Sequence, residues 1–318
     1  MSHDVSVVGP LNIDLLIRGE GPPNWEAIPR WDGRADMEMA AAGSVGYTVQ
    51  NLARLGLSVS VSSCLPDDPL GLFIDSALQR AGVDTSLVRT IPDTLGGIGV
   101  YMLLFGSRKR PLAYRLPTHP LWSLEFPPGD VEKLLNARVF HNGGYLHFKE
   151  AWHGVLCDLY KTARERGLIT TLDPQFPLFV MPPPWMPALE DVLRYVDILM
   201  CDEYEAQSIT GENDLAEAAR QLLGAGCGTV IIKHGADGST VYTNTITHHQ
   251  PAVVLGELVD SIGAGDTFDA GIIYGALHGW QLERQMLFAS IAAGFSVLGA
   301  GGTQSMPDLE TILAEMQK

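Results

Sequence analysis

Short apolar runs alternate along the chain with stretches whose apolar side chains recur every three or four positions. Residues 5–9 read as a strand, and residues 46–55 as a helix ended by Gly56. Residues 58–63 alternate as a strand, 70–81 form a helix stopped by Gly82, and 87–91 give another strand. The same succession returns as a strand at 138–141, a helix at 149–166 and a strand at 168–172 that leads into a Pro-rich connection. It continues with a strand at 197–200, a helix from Asp202, a helix at 215–223, the strand Thr229–Lys233 and a helix at 267–277. Strands joined by helical crossovers predict an α/β fold, a mostly parallel central sheet covered on both faces.

Two stretches break the rhythm. Residues 18–38 hold three prolines and two tryptophans, and residues 96–115 read as a β-rich hairpin around Gly106-Ser107. Together they predict a small β lid, with segments at about 16–40 and 96–118; two long surface loops are the alternative. No repeat, low-complexity run or linker divides the chain, so residues 1–318 read as a single domain plus its lid.

Charge narrows the function classes. With 37 acidic and 21 basic side chains the formal charge is −16, which argues against binding nucleic acid or an anionic membrane surface. A phosphate ligand must therefore be met locally, by backbone N–H groups and a cation. The first residues lack the basic and apolar pattern of a secretory signal, and the apolar runs are too short or too diluted by Gly and Ala to span a bilayer. Cys64, Cys157, Cys201 and Cys227 are widely spaced, which argues against structural zinc or a disulfide framework. A cytoplasmic protein is expected.

The densest chemistry is Asp260-Ser261-Ile262-Gly263-Ala264-Gly265-Asp266-Thr267-Phe268-Asp269-Ala270-Gly271. A turn of small residues feeding a helix aims several N–H groups at one point, where the helix dipole favours an anion. Beside it, Asp266 is placed to take a proton from a hydroxyl; capping the helix is its plainer role. No Gly-x-x-x-x-Gly-Lys-Ser/Thr run is present, which excludes a P-loop.

This segment resembles, position by position, the C-terminal signature of the PfkB, or ribokinase-like, carbohydrate kinases. The resemblance implies a three-layer α/β/α fold with a small β lid. It makes Asp266 the catalytic base and Gly263, Ala264 and Gly265 the anion hole. Val7-Val8-Gly9-Pro10-Leu11-Asn12-Ile13-Asp14 looks like the family's first strand, whose end would present Asn12 and Asp14 to acceptor hydroxyls. Ala41-Ala42-Gly43-Ser44-Val45-Gly46-Tyr47 falls where the N-terminal signature does, placing Gly43 and Tyr47 among the acceptor contacts. Here the family's substrate-contacting Asn reads Tyr47, which donates one hydrogen bond or stacks but lacks an amide's donor–acceptor pair. Ser44 replaces the Lys common in phosphosugar-specific members.

Residues 197–205 are similar to the strand and turn carrying the family's Asn-x-x-Glu motif, with Asp202 in place of the Asn and Glu205 retained. By that likeness both organise Mg²⁺, through water; a solvated acidic helix turn is the plainer reading. Lys233 and Gly235 would lie near the phosphates or ribose of ATP, although Lys233 also reads as a surface lysine. Gly301 and Gly302 would border the adenine, and a K⁺ near Asp260 and Ile262 is a family feature. Asp173-Pro174-Gln175 ends a strand where it could touch a sugar hydroxyl or the metal shell, a turn being the plainer reading; the pair His248-His249 and the run Gly96-Gly97-Ile98-Gly99 carry no signal of their own. The implied activity is ATP-dependent phosphorylation of a hydroxyl on a sugar or sugar derivative, with Mg²⁺, by a homodimer or monomer. A nucleoside kinase of the same fold, with Tyr47 stacked on the base, and a non-catalytic sugar- or nucleotide-binding regulator are the alternatives.

Overall fold

In chain order the strands are β1 (His3–Val8), β2 (Leu11–Arg18), β3 (Asp36–Gly43), β4 (Val59–Pro66), β5 (Asp84–Ile91), β6 (Ile98–Met102), β7 (Ala113–Arg115), β8 (Ala137–Gly143), β9 (Ile169–Asp173), β10 (Ile198–Asp202), β11 (Thr229–Lys233), β12 (Ser239–Tyr242) and β13 (Thr247–Gln250). The computed structural model describes residues 2–33, 35–104, 112–118, 124 and 126–318. Nine strands form one sheet in the order β13-β12-β11-β10-β9-β8-β1-β4-β5, parallel from β11 to β5, with β12 and β13 antiparallel at one edge. The other four form a small sheet in the order β3-β2-β6-β7.

The helices are α1 (Gly46–Arg54), α2 (Pro69–Arg80), α3 (Pro128–Leu134), α4 (Cys157–Glu165), α5 (Met186–Leu193), α6 (Glu203–Thr210), α7 (Leu215–Gly224), α8 (Ala264–Leu277), α9 (Leu282–Ser296) and α10 (Leu309–Glu315). Because successive strand residues point to opposite faces, each central strand feeds two cores. Val139, Met200 and Ile231 pack with Val49 of α1, Ile272 of α8 and Met286 of α9. Their neighbours Phe140, Leu199, Val230 and Ile232 pack with Tyr160 of α4, Leu189 of α5 and Leu222 of α7. Burial on both faces explains why these strands read as unbroken apolar runs.

Four expectations change. The apolar segment at 7–14 is two strands in two sheets, because the chain turns at Gly9-Pro10. Pro10 has no N–H for a ladder, and a Cβ on Gly9 would lie 2.4 Å from the Val45 side chain. The small sheet therefore begins at Leu11 and includes Asp36–Gly43, wider than the expected lid segments. The helix expected at 149–166 is interrupted at Gly154 (φ −127°, ψ −115°), and only Cys157–Glu165 is regular. There the Trp152 carbonyl accepts from the Tyr145 hydroxyl while the Trp152 indole donates to the Tyr145 carbonyl, holding the first turn out of the helix. Finally, α8 starts at Ala264, three residues before the apolar periodicity does. The hairpin tip at Gly106-Ser107 lies outside the described residues.

Candidate active site

The C-terminal ends of the parallel strands bring polar residues to one edge, with Asp173 ending β9, Asp202 ending β10 and Lys233 ending β11. The head of α8 joins them there. Gly263 caps it with φ +74°, and a Cβ there would stand 2.7 Å from the Gly302 Cα and 2.8 Å from the Tyr47 ring, so only glycine fits. The Thr267 N–H bonds back to the Gly263 carbonyl at 2.9 Å. The N–H groups of Gly265 and Asp266 precede it in the open first turn, where an anion is favoured.

Asp266 shares that turn. Burial, and then the charges of Asp173 and Asp14, push its carboxyl up to about 8 against the opposing pull of Lys233 and Thr48. The Thr48 hydroxyl donates to its Oδ1 at 3.4 Å. A carboxylate this reluctant to stay ionised is a proton acceptor matched to neutral pH.

Asn12 and Asp14 lie on β2, in the small sheet rather than at the end of β1. The Asn12 amide donates to Asp14 Oδ1 at 3.3 Å and the Tyr47 hydroxyl to Oδ2 at 3.0 Å. Burial raises the Asp14 carboxyl to about 7. Gly43 pairs with Leu11 beside them. Tyr47 is only 2% exposed, packed among Leu16, Ala42, Ile262 and Ala300, so its ring offers no open face for stacking on a base.

Asp202 and Glu205 form a reciprocal capping box at the start of α6: Glu205 N–H donates to Asp202 Oδ1 at 2.8 Å and Asp202 N–H to Glu205 Oε2 at 2.9 Å. Burial, then Asp173 and Asp202, hold the Glu205 carboxyl well above its ordinary range. Among the described residues no three His, Cys, Asp or Glu side chains group as a metal site. Even so, the surplus of carboxylate over Lys233 on this edge and the hard oxygen donors of Asp202 and Glu205 fit a divalent cation carried in by phosphates.

An open helix N-terminus beside a raised carboxyl, at the C-terminal edge of a parallel sheet, sets an anion site next to a proton acceptor. Residues 2–309 match the model of the pfkB family carbohydrate kinases. The chain belongs to that family. It is similar to the 5-dehydro-2-deoxygluconokinase of Geobacillus thermodenitrificans, at 27% identity over 97% of this chain and 91% of the relative. Its fold is that of the ribokinases. The Arabidopsis thaliana ribokinase solved with ribose and ATP superposes with TM-score 0.78 at 23% identity over the whole of both chains. A putative ribokinase II from E. coli solved with ATP and Mg²⁺ superposes with TM-score 0.80 at 20% identity, over 100% of this chain and 99% of that one.

In this PfkB-family protein Lys233 is not a free surface lysine. Its Nζ lies 3.1 Å from Asp173 Oδ2 and 3.1 and 3.2 Å from the two carboxylate oxygens of Asp269, with 15% of the side chain exposed. Gly235 (φ +64°) is exposed in the turn after β11. Gly301 and Gly302 are buried against Gly263 and Tyr47. Asp260 ties these loops together, accepting from Ile262 N–H at 3.0 Å and Gly301 N–H at 2.9 Å.

The sequence reading passes over Thr48, Asn51 and Asp269 and takes Asp173 for a turn residue. Asp269 was legible in principle, three residues after Asp266 in the same helix. Tyr47, Thr48 and Asn51 likewise share a helical face, spaced by three and four residues. Asp173 had no such signal, because its partner Lys233 is 60 residues away.

Proposed function

We propose that this protein transfers the γ-phosphoryl group of ATP to a hydroxyl of a small sugar-like acceptor, with Asp266 as the base. The observation that carries this reading is the raised Asp266 carboxyl in the same helix turn as the open N–H groups. Asp266 takes the acceptor's proton as the hydroxyl attacks. Gly263, Ala264 and Gly265 shape the turn whose N–H groups face the charge gathering on the transferring group. Asn12 and Asp14 orient the acceptor, with Gly43 leaving room beside them. Tyr47 serves the acceptor through its bond to Asp14 rather than by touching it. Gly235 and the Gly301-Gly302 loop flank the nucleotide.

Asp202 and Glu205 would hold Mg²⁺ through its water shell, and the ion would supply charge neutralisation on the phosphates. A K⁺ beside Asp260 and Ile262, and a homodimer, complete the reading. The small sheet works as a lid on a single kinase domain, excluding water that would hydrolyse ATP. Among the described residues no helix is long and apolar enough to cross a membrane; in this reading the protein works in the cytoplasm with small-molecule partners, and the formal charge of −16 weighs against nucleic acid.

The acceptor class follows the named relatives: 5-dehydro-2-deoxygluconate leads, and burial of Tyr47 weighs against a nucleoside. ATP consumption with 5-dehydro-2-deoxygluconate, ribose, fructose, inosine and adenosine, in Mg²⁺ with and without K⁺, is the test. Turnover restricted to nucleosides overturns the sugar reading. ATP binding with no turnover on any acceptor favours the regulator. Near-normal turnover by Asp266→Asn removes Asp266 as the base.

A further inference from the structure

An ammonium has three N–H donors, and Lys233 has three carboxylate contacts at 3.1 to 3.2 Å, one to Asp173 and two to Asp269. To grip a phosphate it would have to release one of them or share one N–H between the two Asp269 oxygens. The three side chains come from the ends of β9 and β11 and the second turn of α8, so they knit the floor of the site together. A Cβ placed on Gly265 would lie 3.7 Å from Lys233 Nζ, which puts the ammonium directly beside the open N–H turn. Asp173 also reaches the acceptor side, because its Oδ1 accepts from Gln175 N–H at 3.2 Å and the Gln175 amide donates to the Ser44 carbonyl at 3.3 Å.

We propose that Lys233 is a positioning residue, a fixed cation clamped by Asp173 and Asp269 beneath the anion turn, which sets the charge felt by Asp266 instead of binding ATP directly. The groups whose charge or hydrogen bond acts on Asp266 are Asp173 of β9, Lys233 of β11, Asp14 of β2, Tyr47 and Thr48 of α1, Tyr101 of β6 and Asp269 of its own helix. Lys233 is the cation in this set. Burial alone would lower the Lys233 ammonium, but Asp173 and Asp269 outweigh it and hold the lysine charged. Burial likewise opposes ionisation of Asp173, yet Lys233 keeps that carboxylate below its ordinary range. Both shifts favour the charges of the Lys233–Asp173 pair, whereas burial pushes the Asp269 carboxyl well above its ordinary range, and loss of either member of the pair unbalances the field at Asp266. The catalytic consequence rests on Asp266 being the base; the charge relationship itself does not.

The test follows the Asp266 carboxyl by ¹³C NMR titration of ¹³Cγ-aspartate-labelled protein, with the signal assigned by its loss in Asp266→Asn. No acceptor is needed. Lys233→Met should move the midpoint up by about one pH unit or more, a tenfold change in proton affinity. Lys233→Arg should leave it nearly in place, Asp173→Asn should move it down, and the Lys233→Met/Asp173→Asn double variant should return it toward the parent value. Binding of Mg²⁺ with a non-hydrolysable ATP analogue, followed by calorimetry, should change less than about threefold in Lys233→Met, well under 1 kcal/mol. An unmoved midpoint with binding weakened about tenfold or more would make Lys233 a phosphate ligand and overturn the proposal. If Lys233→Met does not fold, Asp173→Asn alone decides, since a midpoint that stays or rises contradicts the charge relationship. A shifted midpoint in a protein that phosphorylates no acceptor would leave this inference standing while the kinase reading fails.

Discussion

Asn51 Nδ2 donates to the Gly302 carbonyl across 2.9 Å, joining residues 251 apart in sequence. The same amide donates to Thr267 Oγ1 at 2.8 Å, and the Thr267 hydroxyl lies 2.8 Å from the Gly263 carbonyl and 3.0 Å from that of Gly302. Helix α1 therefore pins the anion turn and the loop packed on it, using an amide that is wholly buried. Asn51→Leu removes two hydrogen bonds and leaves the Gly302 carbonyl with the Thr267 hydroxyl alone, so a loss of about 1–3 kcal/mol in stability is expected. Chemical denaturation measures it. Turnover should fall as well, because the turn loses its anchor, and an unchanged denaturation midpoint would remove Asn51 from this role.

The raised Asp266 carboxyl fixes a pH dependence. The base works only when ionised, so kcat/KM of the free enzyme should climb with pH and level off above about 8. Asp266→Asn should lower kcat by about 10²–10⁴-fold while MgATP binding persists. A pH–rate profile for the parent and calorimetry for the variant check the two halves separately.

Stability moves in the opposite sense. The folded state holds the Asp266 proton more tightly than the unfolded chain, whose carboxyl titrates near its ordinary value of about 4. Ionising it in the fold therefore costs stability as pH rises from about 4 toward 8. Asp266→Asn removes that cost. The variant should be the more stable protein above about pH 8, by about 1 kcal/mol or more, with the gain vanishing near pH 4. Thermal melts at both ends of the range test the sign, and a gain confined to acid pH would contradict it.

Tyr47 acts at one remove. Its hydroxyl donates to Asp14 at 3.0 Å, and its ring packs on the anion turn. Tyr47→Phe keeps the packing and deletes the bond, so Asp14 loses a donor that favours its ionised form. The expected result is a rise of about 3–10-fold in KM for the acceptor, the equivalent of one hydrogen bond, with KM for ATP unchanged. Steady-state kinetics with each substrate varied in turn separates these effects. A change confined to ATP would detach Tyr47 from the acceptor.

The central sheet was legible because burial on both faces leaves continuous apolar strands, and helices such as Pro69–Arg80 carry their own caps and glycine stops. The Asp266 turn was legible because its chemistry is local: four adjacent residues make the turn and place the carboxyl. Residues joined only by tertiary contacts were not. Nothing around Lys233 in the chain announces Asp173 or Asp269, and the burial that silences Tyr47 as a stacking surface comes from Leu16, Ile262 and Ala300, which are far apart in sequence. The head of α8 was displaced for a related reason. Residues 264–266 are small or charged, so apolar periodicity begins only at the point where the helix reaches the core.

Asp202 and Glu205 separate a structural role from a metal role. Each carboxylate accepts from the other's backbone N–H, so both support the first turn of α6. Asp202→Ala should lose the cap at a cost of about 1 kcal/mol. Glu205→Gln keeps an oxygen to accept from Asp202 N–H but cannot ionise, and it also relieves a carboxyl whose ionisation is opposed by burial and then by Asp173 and Asp202. Its stability should hold or rise, while the Mg²⁺ concentration for half-maximal turnover climbs by about tenfold, the loss of roughly 1.4 kcal/mol of ion affinity. Melting curves and a Mg²⁺ titration on the same preparation give the answer. If Glu205→Gln destabilises the fold and leaves the Mg²⁺ requirement untouched, the capping box is the whole of Glu205's role.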